Sequence, residues 1–254
     1  MDQLVLNALK GIPLVEPGDD IAELIYKAIL VNKIQVDEGD IFVIAQKIIS
    51  KSENRYVYLN KITPSSEAVL LGRQTKKDPR LVEVILRESN KVVRSRVGVI
   101  VVENKLGFVH ANAGIDRSNI ESNDNNPKVL LLPEFPDESA LTLKTALDLK
   151  FKENIGIIIN DSAGRAWRNG TTGIAIGSSG VMTLSDLRGK KDLYGRSLEV
   201  TQIGLGDEVA SAASILMGQA DEGLPVILVK GFKVPKLDQS AKELLREANQ
   251  DLFR

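Results

Sequence analysis

A chain of 254 residues with 43% hydrophobic content is long enough for one large domain or two closely packed ones, and for a sizeable buried core. Its 33 lysines and arginines against 34 aspartates and glutamates leave a formal net charge of -1, so nothing points to a nucleic-acid or membrane-surface partner and any polyanion must be met locally. The absence of cysteine excludes disulfides, thiolate metal sites and thioester intermediates, and the single histidine, His110, excludes the zinc-peptidase helix motif and polyhistidine metal sites.

In chain order, the apolar segment from Leu4 to Ile12 reads as a strand, and the turn Glu16-Pro-Gly-Asp19 leads into Ile21, Leu24, Ile25, Ala28 and Ile29, which is helical spacing behind a cap at Asp19 or Asp20. Met1 to Lys10 has no secretory pattern, and no apolar run reaches the roughly 18 residues that span a bilayer, so the expected location is the cytoplasm. The β-branched run Ile41 to Ile49 reads as a buried strand entering the polar segment Ser50-Lys51-Ser52-Glu53. Asp78-Pro79 predicts a helix start for Leu81 to Val93, and Val97 to Val102 with Leu106 to His110 predicts a hairpin that delivers Ala111-Asn-Ala-Gly-Ile-Asp116 to a loop.

The polar stretch Arg117 to Lys128 reads as a linker or insertion, followed by a strand at Val129 to Leu132 and a helix from Ser139 to Phe151 capped by Asp137. A buried strand, Ile155 to Ile159, ends in Asn160-Asp161-Ser162. Strands at Gly173 to Gly177 and Leu198 to Ile203, a helix from Asp207 to about Met217, a strand at Pro225 to Val229 and a C-terminal helix over Gln239 to Leu252 complete the prediction. The expected fold is α+β, with mixed sheets and two interleaved lobes in one unit spanning 1–254. It is not a P-loop or Rossmann fold, because neither glycine fingerprint is present.

Five separated segments carry the chemical information: Gly11-Ile-Pro-Leu-Val15, Ala45-Gln-Lys-Ile-Ile-Ser-Lys51, Ala111-Asn-Ala-Gly-Ile-Asp-Arg-Ser-Asn119, Asn160-Asp-Ser-Ala-Gly-Arg-Ala-Trp-Arg168 and Met217-Gly-Gln-Ala-Asp-Glu-Gly-Leu224. Together, and in this order, they resemble the coenzyme F-420 gamma-glutamyl ligase family. The resemblance implies a GTP-dependent ligase that phosphorylates a carboxylate of the deazaflavin coenzyme precursor and lets the amine of L-glutamate displace phosphate. It also implies magnesium or manganese at two sites, potassium, and a homodimer. Amide formation needs such activation, because a free carboxylate repels nucleophiles and has no leaving group.

Carried over by motif, Asp116 and Asp161 would share one metal ion, and Ser162 and Gln219 would hold a second. Many relatives have threonine where Ser162 stands, and either hydroxyl can coordinate. The nucleotide would lie against Ile12, Pro13, Leu14 and Val15, Gln46, Lys51, Asn119, and the loop of Met217, Gly218, Gln219, Ala220, Asp221, Glu222, Gly223 and Leu224. Lys51 is the expected phosphate countercharge, and charge and position suggest Arg165 and Arg168 for the substrate's carboxylates or phosphodiester. Taken singly, Asp116 and Asp161 read as turn formers, Lys51 and Arg165 as solvated charges, and His110 as a structural residue. A metal-dependent phosphotransferase and a non-catalytic nucleotide or deazaflavin sensor are the competing functions.

Overall fold

Strands that are apolar at every position need both faces covered. Ile41 to Ala45, Ile157 to Ile159 and Val226 to Val229 are of this kind, and they form the centre of the molecule. The structure is a computed structural model and describes residues 3–122, 125–232 and 237–252. In chain order its elements are β1 (Val5–Ala8), α1 (Ile21–Asn32), β2 (Ile41–Ala45), α2 (Gln46–Ser52), β3 (Tyr56–Tyr58), α3 (Ser66–Thr75), α4 (Pro79–Arg87), β4 (Ser89–Arg96), β5 (Val99–Asn104), β6 (Val109–Ala111) and β7 (Lys128–Leu130). There follow α5 (Pro136–Phe151), β8 (Gly156–Gly164), β9 (Thr171–Ser179), β10 (Ser185–Asp186), β11 (Gln202–Ile203), α6 (Leu205–Met217) and β12 (Val226–Lys230).

The main sheet has the order β1-β12-β2-β8-β9, with β2 and β8 parallel and the other neighbours antiparallel. Strand alternation sorts its side chains into two cores. Phe42, Ile44, Ile157, Ile159 and Leu228 face α1 and α5, whereas Ile41, Val43, Ile158, Ile227 and Val229 face α6. Helix α6 approaches β9 closely enough that a Cβ on Gly173 would stand 2.4 Å from the Ala210 carbonyl oxygen, so only glycine fits there. Asp20 caps α1 by accepting from the Glu23 N–H, as the sequence predicts.

A second lobe is inserted between α2 and α5. It has its own core, drawn from Leu59, Leu81, Ile85, Ile100, Val102 and Val129 among others, beside the three-stranded sheet β4-β5-β6 and the pair β3-β7. The predicted hairpin is β5-β6, and Asp78 with Pro79 starts α4. The fold is therefore α+β with several mixed sheets, as expected. No helix among the described residues is long and apolar enough to cross a membrane.

Several elements differ from their sequence prediction. The run Ile41 to Ile49 is not one strand: it turns helical at Gln46, where Ser50 Oγ donates to Gln46 Oε1 one turn back. The helix predicted to Val93 stops at Arg87, and the chain turns into β4. Asp137 is not the cap of α5, which has Phe135 there. Its carboxylate instead accepts from the Ser178 and Ala241 N–H groups and from Ser240 Oγ, tying α5 to β9 and the C-terminal segment. The strand expected over Leu198 to Ile203 is only Gln202–Ile203, and the predicted C-terminal helix is two short 3-10 turns, Ala241–Leu244 and Ala248–Gln250. Within the stretch Arg117 to Lys128, positions 123 and 124 lie outside the described residues.

Candidate active site

The site forms where β2 and β8 run side by side to their carboxyl ends, the usual place for a ligand in a sheet with parallel strands. Ala45 pairs with Asn160 at that edge. β2 passes directly into α2, which carries Gln46, Lys47 and Lys51. Contrary to the prediction, β8 does not end at Ile159. It continues past an irregularity at Ile159/Asn160 and presents Asp161 and Ser162 while still paired to β9. Asn160 is buried and donates from Nδ2 to Ser214 Oγ at 3.0 Å, which fastens the bend to α6.

The inserted lobe supplies the opposite wall. After β6 the turn at Asn112 and Ala113 takes positive φ values of 53° and 58°, a costly conformation for non-glycine residues that marks a constrained segment. Asp116 then exchanges both backbone hydrogen bonds with buried Leu130, so its position is set by the core. Asp116 Oδ2 receives Lys47 Nζ at 2.7 Å, and Oδ1 accepts from the Ser118 N–H and hydroxyl. His110 reaches from β6 to place Nδ1 3.6 Å from Asp161 Oδ2.

The two carboxyl groups are driven apart electrostatically. Burial, reinforced by the negative charge of Asp116, pushes Asp161 up to about 7, against a hydrogen bond from the Ser162 N–H and one from the Gln46 side chain. Burial acts on Asp116 in the same sense, but Lys47 and Ser118 outweigh it and hold that carboxyl below its usual range. Burial alone pushes His110 down to about 4, so its imidazole is neutral near pH 7 and the contact with Asp161 is not an ion pair. Lys51 is lowered by burial and by the neighbouring charge of Lys47, one helical turn away on α2.

The loop after α6 closes the site. Gly218 caps α6 with φ 71° and ψ -175°, a backbone conformation that belongs to glycine. Beyond it Ser162 Oγ lies 2.9 Å from Gln219 Oε1, and Asn119 Nδ2 donates to the Ala220 carbonyl at 2.8 Å. Glu222 folds back to accept from the Ala220 N–H at 2.8 Å.

The structure thus brings together Asp116, Asp161, Ser162, Gln219, Lys51, Asn119 and Met217 to Glu222. Gly223 and Leu224 continue the loop toward β12. The segment Ile12, Pro13, Leu14 and Val15 lies beside α2, tied through the Gly18 N–H to the Ser52 carbonyl. Leu14 is 87% exposed and Val15 buried. Gln46 is buried and turned to Asp161 and Ser50, not presented to solvent. Arg165 and Arg168 stand exposed on the turn between β8 and β9. Sequence reasoning missed Lys47, although it lies within a quoted motif, and took His110 as merely structural.

The donor set suits a hard divalent cation: two carboxylates, a hydroxyl and an amide oxygen, with water to complete the shell. No group of three or more His, Cys, Asp or Glu residues with metal-holding geometry occurs among the described residues, so any cation here would rest on a mixed set of carboxylate, hydroxyl and amide oxygens.

Fold and site define an α+β protein with a paired-carboxylate site of oxygen donors and lysines at the carboxyl ends of parallel strands. Residues 11–231 match the family model described as F420-0:Gamma-glutamyl ligase, and the chain belongs to that family. A relative from Methanothermobacter thermautotrophicus, named Coenzyme F420:L-glutamate ligase, is 43% identical over 251 residues that cover 98% of each chain. Proteins of the same name from Methanocaldococcus jannaschii and Archaeoglobus fulgidus are 42% and 37% identical, covering 89% and 97% of this chain and 88% and 94% of their own.

Proposed function

We propose that the protein joins the amine of L-glutamate to a carboxylate of the deazaflavin coenzyme F-420 precursor, with GTP as phosphoryl donor, in the cytoplasm. A carboxylate oxygen of the coenzyme attacks the γ-phosphorus, GDP leaves, and an acyl phosphate is formed. The glutamate amine then attacks the acyl carbon, inorganic phosphate leaves with the acyl-oxygen bond pair, and the amine proton passes to solvent. Further rounds would extend the product by γ-glutamyl units. The observation that carries this reading is the meeting of Asp116 and Asp161, from separate lobes, beside the Ser162–Gln219 pair.

Asp116, Asp161, Ser162 and Gln219 would hold magnesium or manganese, which when bound would neutralise the triphosphate; potassium would accompany them. Lys51 stands as countercharge to phosphate. The Gly218-to-Gly223 backbone approaches the nucleotide, Asn119 holds that loop in place, and Gln46 orients Asp161. Arg165 and Arg168, exposed on the turn between β8 and β9, would meet the anionic parts of the coenzyme. Because the site draws on both lobes, they act as one unit.

Exposed apolar side chains at Leu193, Tyr194, Val200 and Ile215 fit pairing with a second copy, and light scattering should give the mass of a dimer. The chemistry is tested by phosphate release: GDP and phosphate should appear only when both coenzyme and L-glutamate are supplied. Release without glutamate would instead make the protein a phosphotransferase.

A further inference from the structure

Lys47 is a charged group of the site that the ligase reading leaves without a task, and each of its donors has a partner. An ammonium has three protons to donate. Lys47 directs them to Asp116 Oδ2 at 2.7 Å, Ser118 Oγ at 2.9 Å and the Ser118 carbonyl at 3.2 Å. The Ser118 hydroxyl in turn donates to Asp116 Oδ1 at 2.8 Å, and the Ser118 N–H to the same oxygen at 2.7 Å. The three groups form a closed ring in which Lys47 has no proton left for a phosphate and Asp116 has both oxygens engaged. The lysine side chain is only 21% exposed, and its charge bears on Asp161 as well as on Asp116.

A divalent cation drawn to Asp116 therefore meets an ammonium already seated on its ligand. Two cations on one carboxylate oxygen repel, and the more mobile one yields. The lysine stem is flexible and anchored on α2 one turn before Lys51, so the released ammonium stays in the site beside the other lysine.

We propose that Lys47 is an internal competitor for the metal at Asp116: metal binding displaces its ammonium from the carboxylate and frees it to meet the anionic substrate. The inference rests on the reading of Asp116 as a metal ligand. It couples metal loading to delivery of a positive charge, and it predicts effects of opposite sign on metal affinity and on turnover. A purely structural lysine would not produce that split, because its loss would loosen the site and weaken both.

The test is a manganese titration of the whole protein, with free ion read by electron paramagnetic resonance, beside ligation kinetics on the same samples. Lys47→Met should bind manganese more tightly, on the order of tenfold, while its kcat falls by at least about tenfold. Lys47→Arg, which keeps the charge, should stay near the unsubstituted protein in metal affinity. Should Lys47→Met fail to show a cooperative thermal transition, Lys47→Gln, which keeps a hydrogen bond to Ser118, takes its place. Manganese affinity equal to or weaker than the unsubstituted protein's in these neutral variants would overturn the inference. Asp116→Asn is the control: if it leaves manganese binding unchanged, Asp116 is no metal ligand and the site reading falls with it. If it abolishes binding while the Lys47 variants bind no tighter, only the role of Lys47 falls.

Discussion

Asp161 shows how a candidate site residue can burden the fold. Its carboxyl is pushed up to about 7 from an ordinary 3.8, so the folded protein binds its proton more tightly than the unfolded chain does. Between these two values the native state holds more protons, so stability from this group falls as pH rises through that window and stays low above it. Asp161→Asn should therefore stabilise metal-free protein at pH 8 by at most about 4 kcal/mol, a gain that shrinks as pH approaches 4. The same substitution should lower ligation by more than about 100-fold. Thermal unfolding across pH, paired with a ligation assay, checks both; a destabilised variant would contradict the burial argument. Lys51→Ala should weaken nucleotide binding by about tenfold with little change in the unfolding temperature, and calorimetric titration with GTP decides it. The separated motifs made it legible that Asp116, Asp161, Ser162 and Gln219 would come together. The contacts of Lys47 with Asp116 and of His110 with Asp161 were not legible, because each partner stands on the other lobe and nothing local announces it.

Elements were legible where a local device specifies them. Asp20 before Ile21 and Asp78-Pro79 before α4 are such devices, since capping depends on a few adjacent residues. The missed boundary at Gln46 lacks one: Ala45 offers no capping side chain, and Ile48 and Ile49 prolong the apolar run. Strand β4 is largely exposed and pairs with β5 across two irregularities, so its polar sequence gives no alternation to read. The C-terminal segment reads as helical but is organised by tertiary contacts: Gln239 Oε1 accepts from the Thr183 and Leu184 N–H groups.

Glu83 on α4 accepts from the Ser65 N–H at the start of α3 and from Arg87, and these contacts hold it down at about 2. A depressed carboxyl stabilises the fold above its unfolded value of 4.5 and loses that contribution as pH falls through about 2. Glu83→Gln should lower the thermal midpoint at pH 7 and flatten its decline between those values; an unchanged acid limb would contradict the pairing. Gly173→Ala should destabilise by roughly 1–3 kcal/mol through the clash with α6, measured by denaturant unfolding.

The whole molecule explains why a site that is dispersed in sequence is compact in space. The main sheet brings α2 and β8 to one edge, and the inserted lobe returns Asp116 and His110 to that edge through its own core. The alternation of helix and strand together with the hairpin made an α+β chain legible, because a hairpin has no place in a purely parallel sheet. The covering of the sheet by α1 and α5 on one face and α6 on the other depends on pairings far apart in sequence, which periodicity does not encode.

The most direct test of the central claim is mass spectrometry of the glutamate-free coenzyme incubated with the protein, L-glutamate, GTP and manganese, with each component omitted in turn. A ligase built on the Asp116–Asp161 site should yield a product heavier by one or more glutamyl units, absent without GTP or metal and absent with Asp161→Asn. An unchanged coenzyme mass while GDP accumulates, or full conversion by folded Asp161→Asn, would contradict it.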